Sequence, residues 1–148
     1  MVGERWSLLI IRDACFAGST RFGEFAKSLG IAPNILTNRL EGFVAAGLMV
    51  RSRIPGNADQ HEYILTAKGR SLATAVVALA AWGDQWCAPD GPPFVFEHAA
   101  CGGGGVTQHN TCSTCGEEVG PTEISGRAGP GWVSVLGQDL EAAVVPIS

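Results

Sequence analysis

Two short pieces near the carboxyl end carry the side chains best suited to coordination chemistry: HAACG at 98–102 and CSTCG at 112–116. Each separates two potential ligands by two residues and places a glycine after the second. A tight turn of that length aims both side chains at one point. His98, Cys101, Cys112 and Cys115 together make a His-Cys-Cys-Cys set, the closed tetrahedral form of a structural zinc site, which leaves no open position for a substrate. His109, three residues before Cys112, is the rival fourth ligand, although it lacks the matching turn. The same CxxC pair permits a thiol switch in which Cys112 and Cys115 oxidise, a chemistry that needs an accessible thiol of low pKa. Five cysteines in all are an odd set, which fits metal or free thiols better than a disulfide framework.

A second group of polar side chains sits in GIAPNILTNRL, residues 30–40. A helix starting at Pro33, with Gly30 as the preceding positive-φ glycine, would bury Ile35, Leu36 and Leu40 and turn Asn34, Thr37, Asn38 and Arg39 towards solvent. Amides, a hydroxyl and a guanidinium on one exposed face are the groups that bond base edges and phosphates. Downstream, LMVRSRI alternates apolar and basic residues with the period of a strand, which sets Arg51 and Arg53 near a polar tip that includes Asn57, Gln60 and His61.

The elements that must hold these groups follow from hydrophobic periodicity. WSLLIIRDACFA, residues 6–17, is apolar on most faces and predicts a largely buried helix; GST then ends it and can cap the next. RFGEFAKSL at 21–29 predicts a short amphipathic helix with Phe22, Phe25, Ala26 and Leu29 inward. After the polar-faced helix ends at Gly47, two strands joined by PGNADQ predict a hairpin, and Thr66 can cap a long helix running to Trp86. That order, helix, short helix, glycine turn, helix, hairpin, long helix, is a winged helix-turn-helix, whose second turn helix enters the major groove. The expected class is mainly α with a small β-hairpin wing (α+β), followed by a glycine- and cysteine-rich, zinc-ribbon-like tail. The domains read as 1–86 for DNA binding and dimerisation, 87–97 as linker, and 98–148 as tail.

Charge divides along the same line. The net charge is −4, but residues 1–86 carry +2 and residues 87–148 carry −6, so the basic surface is local and an acidic total does not exclude DNA. Eleven of the twenty glycines follow Trp86, which makes the second part poor material for a core. No run approaches the roughly 20 apolar residues of a membrane span and no signal peptide is evident, so a cytoplasmic location is expected. An enzyme is not expected: no nucleophile pattern neighbours His61, and CGGGG follows no strand and opens no helix.

GERWSLLIIRDACFAGSTRFGEFAKSLGIAPNILTNRLEGFVAAGLMVRSRI, followed by EYILTAKGRSL and AAWG, resembles the HxlR family of bacterial winged helix-turn-helix transcription regulators, within the MarR-like superfamily. The resemblance covers about residues 3–86 and rests on the tryptophan helix, the I-x-P-x-x-L-T-x-R-L helix, the Y-x-LT-x-x-G exit from the wing and the late WG. It extends weakly over residues 98–116, since longer members carry similar H-x-x-C-G and C-x-x-C-G pieces. The resemblance implies a homodimer that binds double-stranded DNA at a short inverted repeat, as a repressor or an activator, repression being the expectation here. Carried over by position, Asn34, Thr37, Asn38 and Arg39 lie on the recognition helix, Arg21 at the start of the turn motif, and Arg51, Arg53 and Asn57 on the wing. Family members usually have a further helical stretch, often with a cysteine, before the GERW-like motif, whereas Gly3 stands two residues from Met1. Dimerisation is then expected to lean on residues 67–86, through Leu72, Val76, Leu79 and Trp82, and Cys15 inherits no sensing role. Two alternatives stay open: a winged-helix protein-interaction module that no longer binds DNA, and a thiol-based redox-sensing regulator. Trp82 and Trp86 are also candidates for lining a small-effector pocket.

Overall fold

A computed structural model describes residues 3–54, 56–101, 103–126 and 129, without the side chains of residues 57–59 and 99. Two compact units divide the chain, the first running to Val106 and the second beginning at Thr107. In the first, α1 (Ser7–Phe16), α2 (Phe22–Leu29) and α3 (Pro33–Ala45) precede a hairpin of β1 (Met49–Ile54) and β2 (Asn57–Leu65), then α4 (Ala67–Arg70) and α5 (Leu72–Cys87). The unit closes with β3 (Glu97–His98) paired antiparallel to β4 (Gly104–Gly105). The second contains one small hairpin, β5 (Asn110–Thr111) with β6 (Glu118–Val119).

The core draws on every element of the winged unit. Ile10 and Ile11 of α1, Phe25 of α2, and Leu36, Leu40 and Phe43 of α3 are buried together with Met49, Tyr63 and Leu65 of the hairpin and Val76 of α5. Leu36, Leu40 and Phe43 fall at i, i+4 and i+7, so they define the inner stripe of α3. Ile35 lies one residue, or about 100°, away from that stripe. Contrary to the expectation that it would be buried, it is 36% exposed.

Three boundaries differ from the sequence reading, each for a local reason. The cap of α2 comes from Glu24, whose carboxylate accepts the backbone N–H groups of Thr20 at 2.8 Å and Arg21 at 2.9 Å, and not from Ser19 or Thr20. β2 already starts at Asn57, so most of PGNADQ is strand, and the pairing slips between Arg53 and Ile54. The long helix is two, broken at Ser71. Thr66 caps the first piece by accepting the Gly69 N–H, and its hydroxyl donates to the Gly47 carbonyl at 2.7 Å.

What the sequence reads as a linker packs on the winged unit through aromatic edges. The Phe96 ring lies 4.7 Å from that of Phe16 and 5.0 Å from that of Phe94, both edge to face. Val106 N–H then donates to the Phe96 carbonyl.

Gly69 is the tightest point of the fold: a Cβ there would stand 2.1 Å from the Leu48 carbonyl oxygen and 2.8 Å from a Leu65 methyl. Gly69→Ala is therefore expected to lower stability in urea unfolding by about 1–3 kcal/mol, the usual cost of forcing a group into a packed site. Gly42→Ala, at a helical glycine with nothing within 4 Å, should raise it by roughly 0.5–1 kcal/mol. Equal stability of Gly69→Ala and the parent would contradict the close approach.

Candidate nucleic-acid interface

Pro33 sets the first turn of α3, where its missing N–H costs nothing, and Gly30 supplies the left-handed residue (φ 59°) that reverses the chain after α2. This turn fixes which side chains α3 shows. Asn34 and Asn38 are exposed, one turn apart on the same face. Thr37 is half-buried, and its hydroxyl donates to the Pro33 carbonyl at 3.0 Å. Arg39 is half-buried too and forms an ion pair with Glu4, while its Nε is buried without a hydrogen-bond partner among the described residues. The guanidinium thus ties the start of the chain to α3.

The hairpin presents a second set. Arg51 and Arg53 are exposed on one face of β1, opposite Tyr63 and His61 in the register. The Arg51 guanidinium lies 3.2 Å from His61 Nδ1; as the guanidinium can only donate, this contact needs an unprotonated Nδ1. Asn57 opens β2, but its side chain lies outside the described residues.

Arg21 joins the two sets. Its backbone bridges to Glu62, its Nε lies 3.6 Å from the Glu62 carboxylate, and the neighbouring Thr20 carbonyl accepts the Tyr63 N–H at 2.7 Å. A groove of about 610 Å³ runs between α2 and β2, lined by Arg21, Lys27, Gln60 and His61, with Glu24 as its acid. The Glu24 carboxyl is held below the usual carboxylate range by the N–H of Arg21 and then that of Thr20, so it stays ionised and keeps its cap. Lys27, Glu4 and Glu62 are the residues sequence reasoning missed. Period alone marks Lys27 as outward, and nothing local announces that Glu62 meets Thr20 across 42 positions.

The cysteine-bearing segments form two separate turns. His98 ends β3, and the Cys101 thiol donates to the His98 carbonyl at 3.4 Å. In the second unit, Cys112 and Cys115 lie between β5 and β6. There Gly116 turns at φ 77° and its N–H donates to the Cys112 carbonyl, while the Cys112 N–H donates to that of Glu117. The Cys112 thiol is lowered to about 7, first by the backbone N–H of Cys115 and then by that of Thr114. Within either unit, no third His, Cys, Asp or Glu among the described residues completes a metal-binding group. His109 is held instead by Glu118 and Thr107.

Comparison with known proteins supplies the context. The HxlR-like helix-turn-helix family matches residues 1–91. An uncharacterised HTH-type transcriptional regulator of Mycobacterium tuberculosis, Rv3095, is 41% identical, over 92% of this chain and 85% of the relative. Among solved structures, PA1607, described as a candidate transcription factor, is 38% identical with a TM-score of 0.75, covering 87% of this chain and 88% of its own. The redox regulator HypR in its reduced form is 28% identical with a TM-score of 0.52, covering 57% of this chain and 83% of its own.

The half-buried setting of Arg39 separates it from its neighbours on α3. A double-mutant cycle of Glu4→Ala and Arg39→Ala, read by urea unfolding, should return a coupling of roughly 0.2–1 kcal/mol. Asn34→Ala and Asn38→Ala should each stay within about 0.5 kcal/mol of the parent. A coupling of zero would release Arg39 from its structural role.

Proposed function

The chain belongs to the HxlR-like helix-turn-helix family and is a DNA-binding transcriptional regulator, not an enzyme; from this premise we propose that it acts as a homodimeric repressor of an inverted-repeat operator. The observation that carries the reading is the split on α3: Leu36, Leu40 and Phe43 are withdrawn into the core while Asn34 and Asn38 remain exposed. Bidentate amides read adenine in the major groove, so Asn34 and Asn38 take the base edges. Thr37, its donor already engaged, is a lesser contact, and Arg39 positions the helix from its pair with Glu4. Arg21, Arg51 and Arg53 take phosphates, with Asn57 beside them at the wing and Lys27 and His61 in the groove between. An interaction module would favour apolar groups on this face, and the exposed Ile35 is too small a surface for that role.

The homodimer reading is supported by α5. Contrary to the expected stripe, Val76 is buried in the chain's own core, with Val77 also buried and Leu72 packed against that core, whereas Leu79, Trp82 and Trp86 are more than half exposed and leave an apolar face for a second copy. Such a pair would present two recognition helices to two half-sites. Among the described residues, no helix is long and apolar enough to cross a membrane.

For the tail, zinc is the proposed cofactor, structural and four-coordinate, held by His98, Cys101, Cys112 and Cys115. The residues suit it: each pair sits on a local turn, and backbone N–H groups converge on the Cys112 sulfur and favour the thiolate a metal requires. Bound zinc would give order to a glycine-rich segment that has little apolar surface of its own to bury. The low Cys112 thiol equally supports the thiol-switch alternative, in which Cys112 and Cys115 form a disulfide.

An electrophoretic shift with the DNA upstream of the chain's own gene tests the main reading. Arg51→Ala with Arg53→Ala should weaken binding to every sequence and reduce the salt slope by about 1–2; an unchanged slope removes the wing from the contact. Elemental analysis of protein purified without chelators should give one zinc per chain, lost in Cys112→Ser while the winged unit stays folded. Metal-free, well-folded protein with an oxidisable Cys112 and Cys115 would favour the switch, and zinc kept in His98→Ala but lost in His109→Ala would exchange the histidines.

A further inference from the structure

His61 lies on one face of the hairpin with Arg53 opposite it in the register and Arg51 diagonal to it, the Arg51 guanidinium 3.2 Å from His61 Nδ1. A guanidinium has no acceptor and no neutral form, so Nδ1 must supply the lone pair and the ring proton of the free chain is on Nε2. A protonated imidazole has only donors and could not keep this contact. We propose that the chain takes up one proton at His61 when it binds duplex DNA, so that the imidazolium and the released Arg51 guanidinium each hold a phosphate. The inference rests on the reading of the groove between α2 and β2 as a DNA contact.

The charges around the ring favour that exchange. The groove receives Arg21, Glu24 and Lys27 from the start and body of α2, and the ring meets Arg51 and Arg53 from β1. The two acids with described side chains are already committed, Glu24 to the N–H groups of Thr20 and Arg21, and Glu62, the next residue of β2, to Arg21. Asp59, two residues back along β2, has its side chain outside the described residues. In the free chain a positive His61 would sit among these cations and break a hydrogen bond, both of which oppose protonation.

A phosphodiester laid in the groove reverses the balance, because it is anionic and brings only acceptors. The neutral ring offers it one N–H, whereas the imidazolium offers two and frees Arg51 for a neighbouring phosphate. The proton comes from solvent and returns to it on dissociation. Histidine changes charge near physiological pH, while the arginines and lysine beside it stay charged throughout.

Fluorescence anisotropy of the full chain with a rhodamine-labelled duplex of mixed sequence tests it, since phosphate contacts need no operator. The species that binds DNA holds the extra proton, so affinity must rise as pH falls. Between about pH 8 and about pH 6 the Kd should drop about tenfold per chain, and the salt slope should steepen by about 1–2 per chain. His61→Gln should flatten both trends. His61→Lys, with its charge fixed, should show the steep salt slope at either pH. Both variants keep His98, His109 and the tail thiols, so a pH dependence that survives in them belongs elsewhere and overturns the inference. A flat pH profile in the parent chain overturns the inference and leaves the DNA contact standing, whereas no binding at any pH overturns it together with the reading of the groove.

Discussion

The Leu48 carbonyl is the point on which the geometry of the winged unit depends. Thr66 donates its N–H to it at 3.0 Å, the Thr66 hydroxyl proton is shared between it, at 3.2 Å, and the Gly47 carbonyl, and Gly69 packs against it so closely that no side chain could fit between. The carbonyls just before it are served by the same short segment, Gly47 by the Thr66 hydroxyl and Ala46 by the Lys68 ammonium. The last carbonyls of a helix need partners from outside it. Those of Gly42, Phe43 and Val44 at the end of α3 take the N–H groups of Ala46, Leu48 and Gly47, and the carbonyls of that turn find partners at the start of α4. One cluster of bonds thus joins the end of α3, the hairpin and the start of α4.

Several charges of the candidate interface already have partners within the chain. Arg21 leans on Glu62, Arg51 on His61, and Glu24 on the backbone of its own helix start. Exposed contacts of this kind stabilise a protein little, so they hold a side chain in place while leaving it free to exchange partners. A row of phosphates offers that exchange, because it carries charge at the spacing of the backbone and releases counterions as it is covered. Arg39 differs in being half-buried, with Glu4 as partner and an unbonded Nε beneath it. It links the start of the chain to the helix that carries the amides.

The segments after α5 use a different principle. Phe96 packs edge to face on Phe16, and Phe94 on Phe96, within the unit that runs to Val106. Beyond that point the strands are two residues long, and backbone turns shape the thiol positions in place of a core. Such turns depend on glycine, as at Gly116, where the positive φ would strain any other residue.

Much of this was legible in the sequence. The buried stripe of α3, the glycine turn before it, the paired strands and the turns around the cysteines all depend on contacts within a few positions, where period, caps and glycines act directly. The polar face of Asn34 and Asn38 belongs to that class, as do the basic residues of β1. Tertiary structure decided the rest. That Arg39 turns to Glu4 and Arg21 to Glu62, and that Gly69 packs against the Leu48 carbonyl, are outcomes of segments 21 to 41 residues apart meeting. Periodicity reports which face a residue occupies and carries no information about what another element brings to that face; only packing, which must satisfy every buried polar group at once, makes that choice.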